Sequence, residues 1–331
     1  MSRRRVRLVG ALAAFALLCS VAACGLERPT EKDGTDVTKV GATRAQAETI
    51  LDRYQKVRRT AYSLLAAGPL TSIEAAPVLL IDAGAIKAHR LLGKDAPPSA
   101  LGSKDVTVTD VYSPQFDEYP LWFVAVVRDH DRDVTRVLVF ARPRAASPWA
   151  LMASPETVST EAIPPLAVDA DGALRTMPPG ERSALAASPE DVVTTYASAL
   201  DDEASAANDE VVRDSFIDQM RDVAEASSSI KGVTFSQTWK PHDVRYVART
   251  ADGGALVFAT LTRDDDYRIE KEGLFVDWPK GSVQKAFLSG KLFGHGKLRY
   301  YHQVLLYVPA EGAGEPRAIG QYGGIIDGDG Y

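Results

Sequence analysis

Leu121-Trp122-Phe123-Val124-Ala125-Val126-Val127-Arg128 and Val134-Thr135-Arg136-Val137-Leu138-Val139-Phe140-Ala141-Arg142 decide the fold class. Both runs are β-branched and aromatic. The polar stretch Asp129-His130-Asp131-Arg132-Asp133 joins them as a turn, so they read as paired antiparallel strands. Upstream, residues 105–112 alternate Val106 and Val108 with Thr107 and Thr109, which adds a further strand. Residues 148–152 supply a short one.

Two helical stretches precede these strands. Thr43-Arg44-Ala45-Gln46 is a capping-box pattern. Ala47, Ile50, Leu51, Tyr54, Val57 and Leu64 then recur at helical spacing until Gly68-Pro69 stops the helix. Thr71-Ser72-Ile73-Glu74 caps a second stretch to about Leu92, with expected interruptions near Pro77 and Gly84.

The second half repeats the order. Ser188-Pro189-Glu190-Asp191 offers an N-cap, a first-turn proline and acids for the helix dipole. Val192, Val193, Tyr196 and Leu200 form one face. Residues 210–226 carry Val212, Phe216, Met220 and Val223 on one stripe. Val233, Phe235 and Trp239 begin a strand, and residues 244–249 and 255–263 follow as strands.

The halves also match locally. Phe123-Val124-Ala125-Val126-Val127-Arg128-Asp129 is similar to Val257-Phe258-Ala259-Thr260-Leu261-Thr262-Arg263-Asp264. Val137-Leu138-Val139-Phe140-Ala141-Arg142-Pro143 is similar to Val304-Leu305-Leu306-Tyr307-Val308-Pro309. A duplication accounts for both, with an insertion at 265–299 in the second copy. Between the halves lie Pro164-Pro165, Pro178-Pro179 and the hairpin Val168-Asp169-Ala170-Asp171-Gly172-Ala173-Leu174, where Asp-Gly suits positive φ. The expected fold class is therefore α+β, with two tandem domains at 42–180 and 181–331. Two helices followed by a curved antiparallel sheet resembles the NTF2-like (cystatin-like) architecture, which implies a cone with a mouth at one end.

The N-terminus carries a different signal. Arg3, Arg4, Arg5 and Arg7 precede an apolar run of roughly 16 residues, shorter than the ~20 that cross a bilayer. It ends in Val21-Ala22-Ala23-Cys24, a lipobox. Residues 1–23 are expected to be a lipoprotein signal peptide. Residues 24–41 follow as a polar tether, whose mean reach is about 20–25 Å. The start resembles that of bacterial lipoproteins. The resemblance implies that the Cys24 sulfur takes a diacylglycerol, that acyl chains such as palmitate hold the protein in the cell membrane, and that it faces outward. Two or more chains make such an anchor stable. Ser2-Arg3-Arg4-Arg5-Val6 partly matches a twin-arginine signal, and the general secretory route also fits.

Composition narrows the partners. Of 331 residues, 45% are hydrophobic and 25% charged, as in a globular protein. Removing residues 1–23 takes away four arginines and no acid, which moves the formal net charge from −6 to about −10. That balance argues against nucleic acid as a partner. Cys19 leaves with the signal and Cys24 is lipidated, so no disulfide forms.

Candidate chemistry is sparse. His89, His130, His242, His295 and His302 form no i, i+4 pair or HExxH pattern, so they read as surface or packed groups. Asp264-Asp265-Asp266 reads as turn chemistry and Asp327-Gly328-Asp329-Gly330 as a frayed end, not as calcium loops. No P-loop, Gly-x-Gly-x-x-Gly or Gly-x-Ser-x-Gly is present, and no cofactor is expected. The insertion holds Phe275, Trp278, Phe287 and Phe293 among lysines. It reads either as a docking surface or, more simply, as a long hairpin with a short helix over 282–288 whose aromatics are packed.

The whole chain is similar to a group of uncharacterised actinobacterial lipoproteins with a domain of unknown function. The lipobox, the Val168–Gly172 hairpin and Leu298-Arg299-Tyr300-Tyr301-His302-Gln303-Val304-Leu305-Leu306-Tyr307-Val308-Pro309 carry the likeness. It implies location and no activity. The expected function is a non-enzymatic binding or interaction module, recognising an envelope protein or small molecule. The alternatives are a tethered NTF2-like enzyme or ligand binder using a cone pocket, and a transporter solute-binding subunit. The last ranks below because such subunits alternate strands and helices.

Overall fold

Strands β4 (Leu121–Asp129) and β5 (Val134–Arg142) pair antiparallel from Leu121 opposite Arg142 to Asp129 opposite Val134. The turn between them is the predicted polar run, in which Asp133 adopts a positive φ of 55°. This hairpin anchors the computed structural model, which describes residues 39–93, 105–157, 163–288 and 290–331. The signal sequence, the lipobox Val21-Ala22-Ala23-Cys24 and the tether up to residue 38 lie outside the described residues.

Two helices precede the hairpin. Helix α1 is Arg44–Ser63, and Thr43 completes the predicted capping box with Gln46. Helix α2 is Val78–Leu92, entered through a 3-10 turn at Gly68–Ser72. Short strand β1 (Lys39–Val40) pairs with β3 (Gln115–Phe116). The expected tether therefore ends early. An added Cβ at Gly41 would lie 2.2 Å from the Trp122 carbonyl oxygen, so the chain enters the fold by a backbone approach that only glycine allows. Strand β2 (Val106–Tyr112) flanks β4, β6 (Ala150–Ala153) flanks β5, and β7 (Glu156–Thr157) closes the first half.

The second half adds α3 (Pro189–Asp201), capped by Ser188, and α4 (Ser215–Ser228). Helix α4 starts later than the sequence suggests. The Asp214 side chain accepts from the amides of Phe216 and Ile217, while the Val212 amide donates to the Pro316 carbonyl. Val212 is thereby held outside the helix. Strands β8 (Val233–Arg249), β9 (Ala255–Ile269), β12 (His295–Val308) and β13 (Arg317–Gly330) form a long meander. Between β9 and β12 sit β10 (Val276–Asp277), α5 (Val283–Phe287) and β11 (Lys291–Leu292). Ser282 caps α5 and Leu288 ends it, as predicted.

Strand lengths differ from expectation. Asp264, Asp265 and Asp266 lie within β9, each opposite a β12 residue, and not in a turn. Asp327 to Gly330 pair with Arg299 to Gly296 and do not fray. The insertion shrinks accordingly, from 265–299 to the residues between Ile269 and His295. Leu64, read as part of the apolar face, is 66% exposed at the helix end.

The fold is α+β. The expectation gave each half its own sheet, but the strands follow one antiparallel path, β2-β4-β5-β7-β13-β12-β9-β8, with β6 on β5. The halves join through the pairing of Gln321 in β13 with Glu156 in β7. Bulges at Val108/Asp110, Pro241/Asp243, Val244/Tyr246, Arg299/Tyr300 and Leu305/Leu306 bend the strands.

Alternation along these strands builds three of the cores. Helices α1 and α2 cover Phe123, Ala125, Val127, Leu138 and Phe140. Helices α3 and α4 cover Val257, Ala259, Leu261, Val304 and Leu306. The intervening residues Val124, Val137 and Val139 meet Leu256, Phe258, Leu305 and Ile319 from the other half, and Leu166 and Leu174 of the linker close that core. The Trp122 and Tyr246 rings meet there at 5.2 Å. The halves thus share a packed interior and not merely a connection.

Gly84 does not interrupt α2. An added Cβ there would lie 1.8 Å from the Ile325 carbonyl oxygen, so the helix rests directly on β13. Alanine is the better helix former by about 1 kcal/mol, yet Gly84→Ala must push α2 off the strand, and overpacking costs about 1–3 kcal/mol. The expected outcome is a lower urea midpoint for Gly84→Ala. An unchanged or higher midpoint would contradict this seating.

Candidate functional site

Tyr54, Arg58 and Tyr62 recur every four residues, so they share one face of α1. That face is buried against α2 and the sheet, and it brings a guanidinium into the core. Arg58 Nε donates to Asp82 Oδ2 at 2.9 Å, and one Nη donates to the Tyr62 hydroxyl at 3.2 Å. The guanidinium also sits 4.6 Å from the Tyr62 ring centroid. Asp82, fully buried on α2, accepts a second bond from the Tyr322 hydroxyl of β13. Burial pushes the Asp82 carboxyl up, but the Arg58 charge and the bonds from Arg58 and Tyr322 outweigh it and hold the carboxyl below its ordinary range.

Glu74 sits beside this pair and behaves differently. It is 3% exposed, and its carboxyl lies beside the side chains of Asp82 and Tyr54. Burial, then the neighbouring Asp82 charge, push its pKa up to about 9. Glu74 is a neutral acid at pH 7. On β5, buried Arg136 donates from Nη to Ser154 Oγ at 2.7 Å, and its Nε lies 3.4 Å from Glu156 Oε1. Arg132 donates to the same Glu156 oxygen. Arg58, Arg132 and Arg136 therefore sit beside the carboxyl groups of Asp82 and Glu156.

A cleft of about 290 Å³ opens over this cluster. Arg58, Tyr62 and Tyr322 are among its lining residues, with Ile81, Ala85, Ala88 and His89 from α2. Arg132, Val283 and β13 residues Gly323, Gly324 and Ile325 complete it. A second opening of about 270 Å³ lies between α4 and β13, and Glu156, Phe216, Gln219 and Gln321 are among its lining residues.

The second half has its own buried charge. Arg263 donates to Asp265 Oδ2 at 2.8 Å and stacks 3.8 Å from the Tyr300 centroid. Gln237 donates to the other Asp265 oxygen at 3.0 Å, and Trp239 Nε1 donates to Gln237 at 2.8 Å. His302 packs against Trp239, Phe216 and Tyr300. Burial, with the Arg263 charge, pushes its imidazole well below the ordinary range, so it is neutral. An added Cβ at Gly323 would lie 2.4 Å from His302 Nδ1, so this glycine makes room for the imidazole beside the cleft.

The four aromatics singled out in the insertion divide. Trp278 and Phe287 are buried with Tyr267, Leu292 and Leu298. Phe275 and Phe293 are 48% and 58% exposed, their rings 5.5 Å apart, with Lys291 Nζ 4.4 Å from the Phe275 centroid. His295 and His302 have separate surroundings, since His295 bonds Asp266 at 2.8 Å. Sequence reasoning missed the Arg58–Asp82–Tyr322 cluster. Two signals were visible: a cation on the apolar face of α1, and a lone acid in the otherwise apolar start of α2.

The chain belongs to the family described as a domain of unknown function (DUF8094), whose model matches residues 39–330. The match runs from the first residue of β1 to the last of β13, so the family unit includes both halves. No curated protein and no solved structure matches the chain.

The state of Glu74 has a measurable consequence. Folded, it holds its proton to about pH 9; unfolded, it releases it near its ordinary 4.5. Between these values the unfolded chain binds fewer protons, so stability falls as pH rises through the window and is greatest below it. Glu74→Gln removes this titration. Urea unfolding from pH 5 to 9 is expected to show wild type losing stability relative to Glu74→Gln. Parallel profiles would show that Glu74 is ionised in the fold.

Proposed function

We propose that this protein is an exported, lipid-anchored membrane lipoprotein, and that residues 39–331 form a non-enzymatic binding module on the extracytoplasmic face. The anchor rests on Val21-Ala22-Ala23-Cys24 after the basic and apolar start. The observation that carries the binding reading is the cleft over Arg58, Tyr62 and Tyr322. At about 290 Å³ it approaches the low end of the range for small-ligand sites, and its walls are apolar with a few placed polar groups. Helix pairs ahead of an antiparallel meander in each half support a duplicated NTF2-like ancestry, with the two copies fused along β7 and β13.

The tethered-enzyme alternative needs an acid or base that reaches substrate. Glu74 has the raised pKa such a role requires, but it is nearly inaccessible and does not line the cleft. That favours binding over proton transfer. The all-antiparallel path of the sheet likewise gives the solute-binding-subunit alternative no support.

Fractionation tests the anchor. Wild type is expected in membranes and Cys24→Ser in the soluble fraction. A Cys24→Ser protein that stays with membranes would refute the anchor. Native mass spectrometry of the released protein tests the module. A bound mass is expected in the released protein and absent when Ala85→Phe, which fills the cleft, is added. A bound mass that survives Ala85→Phe would place the ligand elsewhere.

A further inference from the structure

The cleft has a chemical bias that its shape alone does not show. Arg58 is committed to Asp82 through Nε and to Tyr62 through one Nη, which leaves the other Nη uncommitted among the described residues. Arg132, also lining the cleft, is one-third exposed and bonded to Glu156. Arg136 lies behind it in contact with the same Glu156. Arg58 and Arg132 line the cleft, while the carboxyl groups of Asp82, Glu156 and Asp129, the last accepting from the Arg132 amide, do not, in a chain whose formal net charge is −6. A positive spot with low-dielectric walls in an otherwise acidic protein concentrates anions. Ile81, Ala85, Ala88, Val283 and Ile325 offer no hydrogen bonds from their side chains, and His89 with the Tyr62 and Tyr322 rings completes the side-chain lining. Gly324 keeps one side open, since an added Cβ would come within 3.2 Å of Ile81.

We infer that the cleft binds a small molecule with one anionic group on an apolar body, the anion seated between Arg58 and Arg132 and the body against Ile81, Ala85 and Val283. The inference rests on the binding reading above and names its ligand class. Arg58 is the fixed donor, because Asp82 and Tyr62 lock its guanidinium. Arg132 is the adjustable one, because its partner Glu156 also contacts Arg136 and remains paired when Arg132 turns to the ligand. A planar guanidinium engages a carboxylate or phosphate through two parallel bonds. A divalent cation is disfavoured because the lining holds two guanidiniums and no carboxylate.

The test is titration calorimetry of the soluble full chain carrying Cys24→Ser, with octanoate and its neutral isostere octanamide as probes. Octanoate is expected to bind at least tenfold more tightly than octanamide. Arg132→Gln should weaken octanoate at least tenfold and leave octanamide nearly unchanged, while Arg132→Lys retains most of the preference. Circular dichroism checks that both variants keep the wild-type melting temperature. Ala85→Phe should abolish binding of both probes. Equal affinity for the two probes, no effect of Arg132→Gln, or no octanoate binding at about 10 mM, where even a millimolar site fills, would overturn the anion assignment. If Ala85→Phe leaves octanoate binding intact, the cleft itself is not the site and the broader reading fails with it.

Discussion

Asp82 places a full negative charge where no water reaches it, and the surrounding structure is arranged to answer that charge. An isolated buried carboxylate is not tolerated; it must be paired and hydrogen-bonded, or it takes up a proton. Arg58 supplies the pair and Tyr322 supplies a further donor. These two partners come from α1 and from β13, elements of different halves. The charge on α2 therefore fixes the first helix pair onto the last strand of the chain. Removing one partner of such a pair costs about 3–5 kcal/mol, so the geometry is enforced and not incidental. The close seating of Gly84 on the Ile325 carbonyl follows from the same approach of α2 to β13.

Next to this pair, Glu74 shows what the low dielectric does to an acid that forms no ion pair among the described residues. Asp82 and Glu74 share one environment, yet the first is held ionised by the Arg58 charge and the second is neutral. Neither acid lines the cleft, whereas Arg58 and Arg132 do. Because Arg58 is locked from two sides, it presents a donor without further ordering, which lowers the entropic cost of binding. The second half solves its own buried charge differently. Arg263 is paired with Asp265, roofed by Tyr300 and wrapped by Trp239 and His302, with its charge spent internally.

Much of the local structure was legible in the sequence because it depends on neighbours in the chain. The capping box at Thr43, the cap at Ser188, the hairpin turn at Asp129–Asp133 and the short helix after Ser282 are all set within a few residues. What escaped depends on distant partners. Asp264–Asp266 and Asp327–Gly330 look like turn and terminus, but each lies opposite β12, and pairing overrides the local preference. Gly84 resembles a helix break until the carbonyl of Ile325 is placed beneath it. The contact between Asp82 and Tyr322 spans 240 positions and leaves no trace in spacing. The joining of the halves was hidden for the same reason, since β7 is two residues long and its pairing with β13 rests on Gln321 and Glu156. Of the candidate site, the odd residues were visible on their helices, but not that they meet.

The central claim is that one sheet and a shared core, pinned by the buried charge cluster, make the two halves a single folding unit. Scanning calorimetry of the Cys24→Ser chain tests it most directly. The account predicts one endotherm whose calorimetric and van't Hoff enthalpies agree. Two resolved endotherms, one for each half, would contradict it.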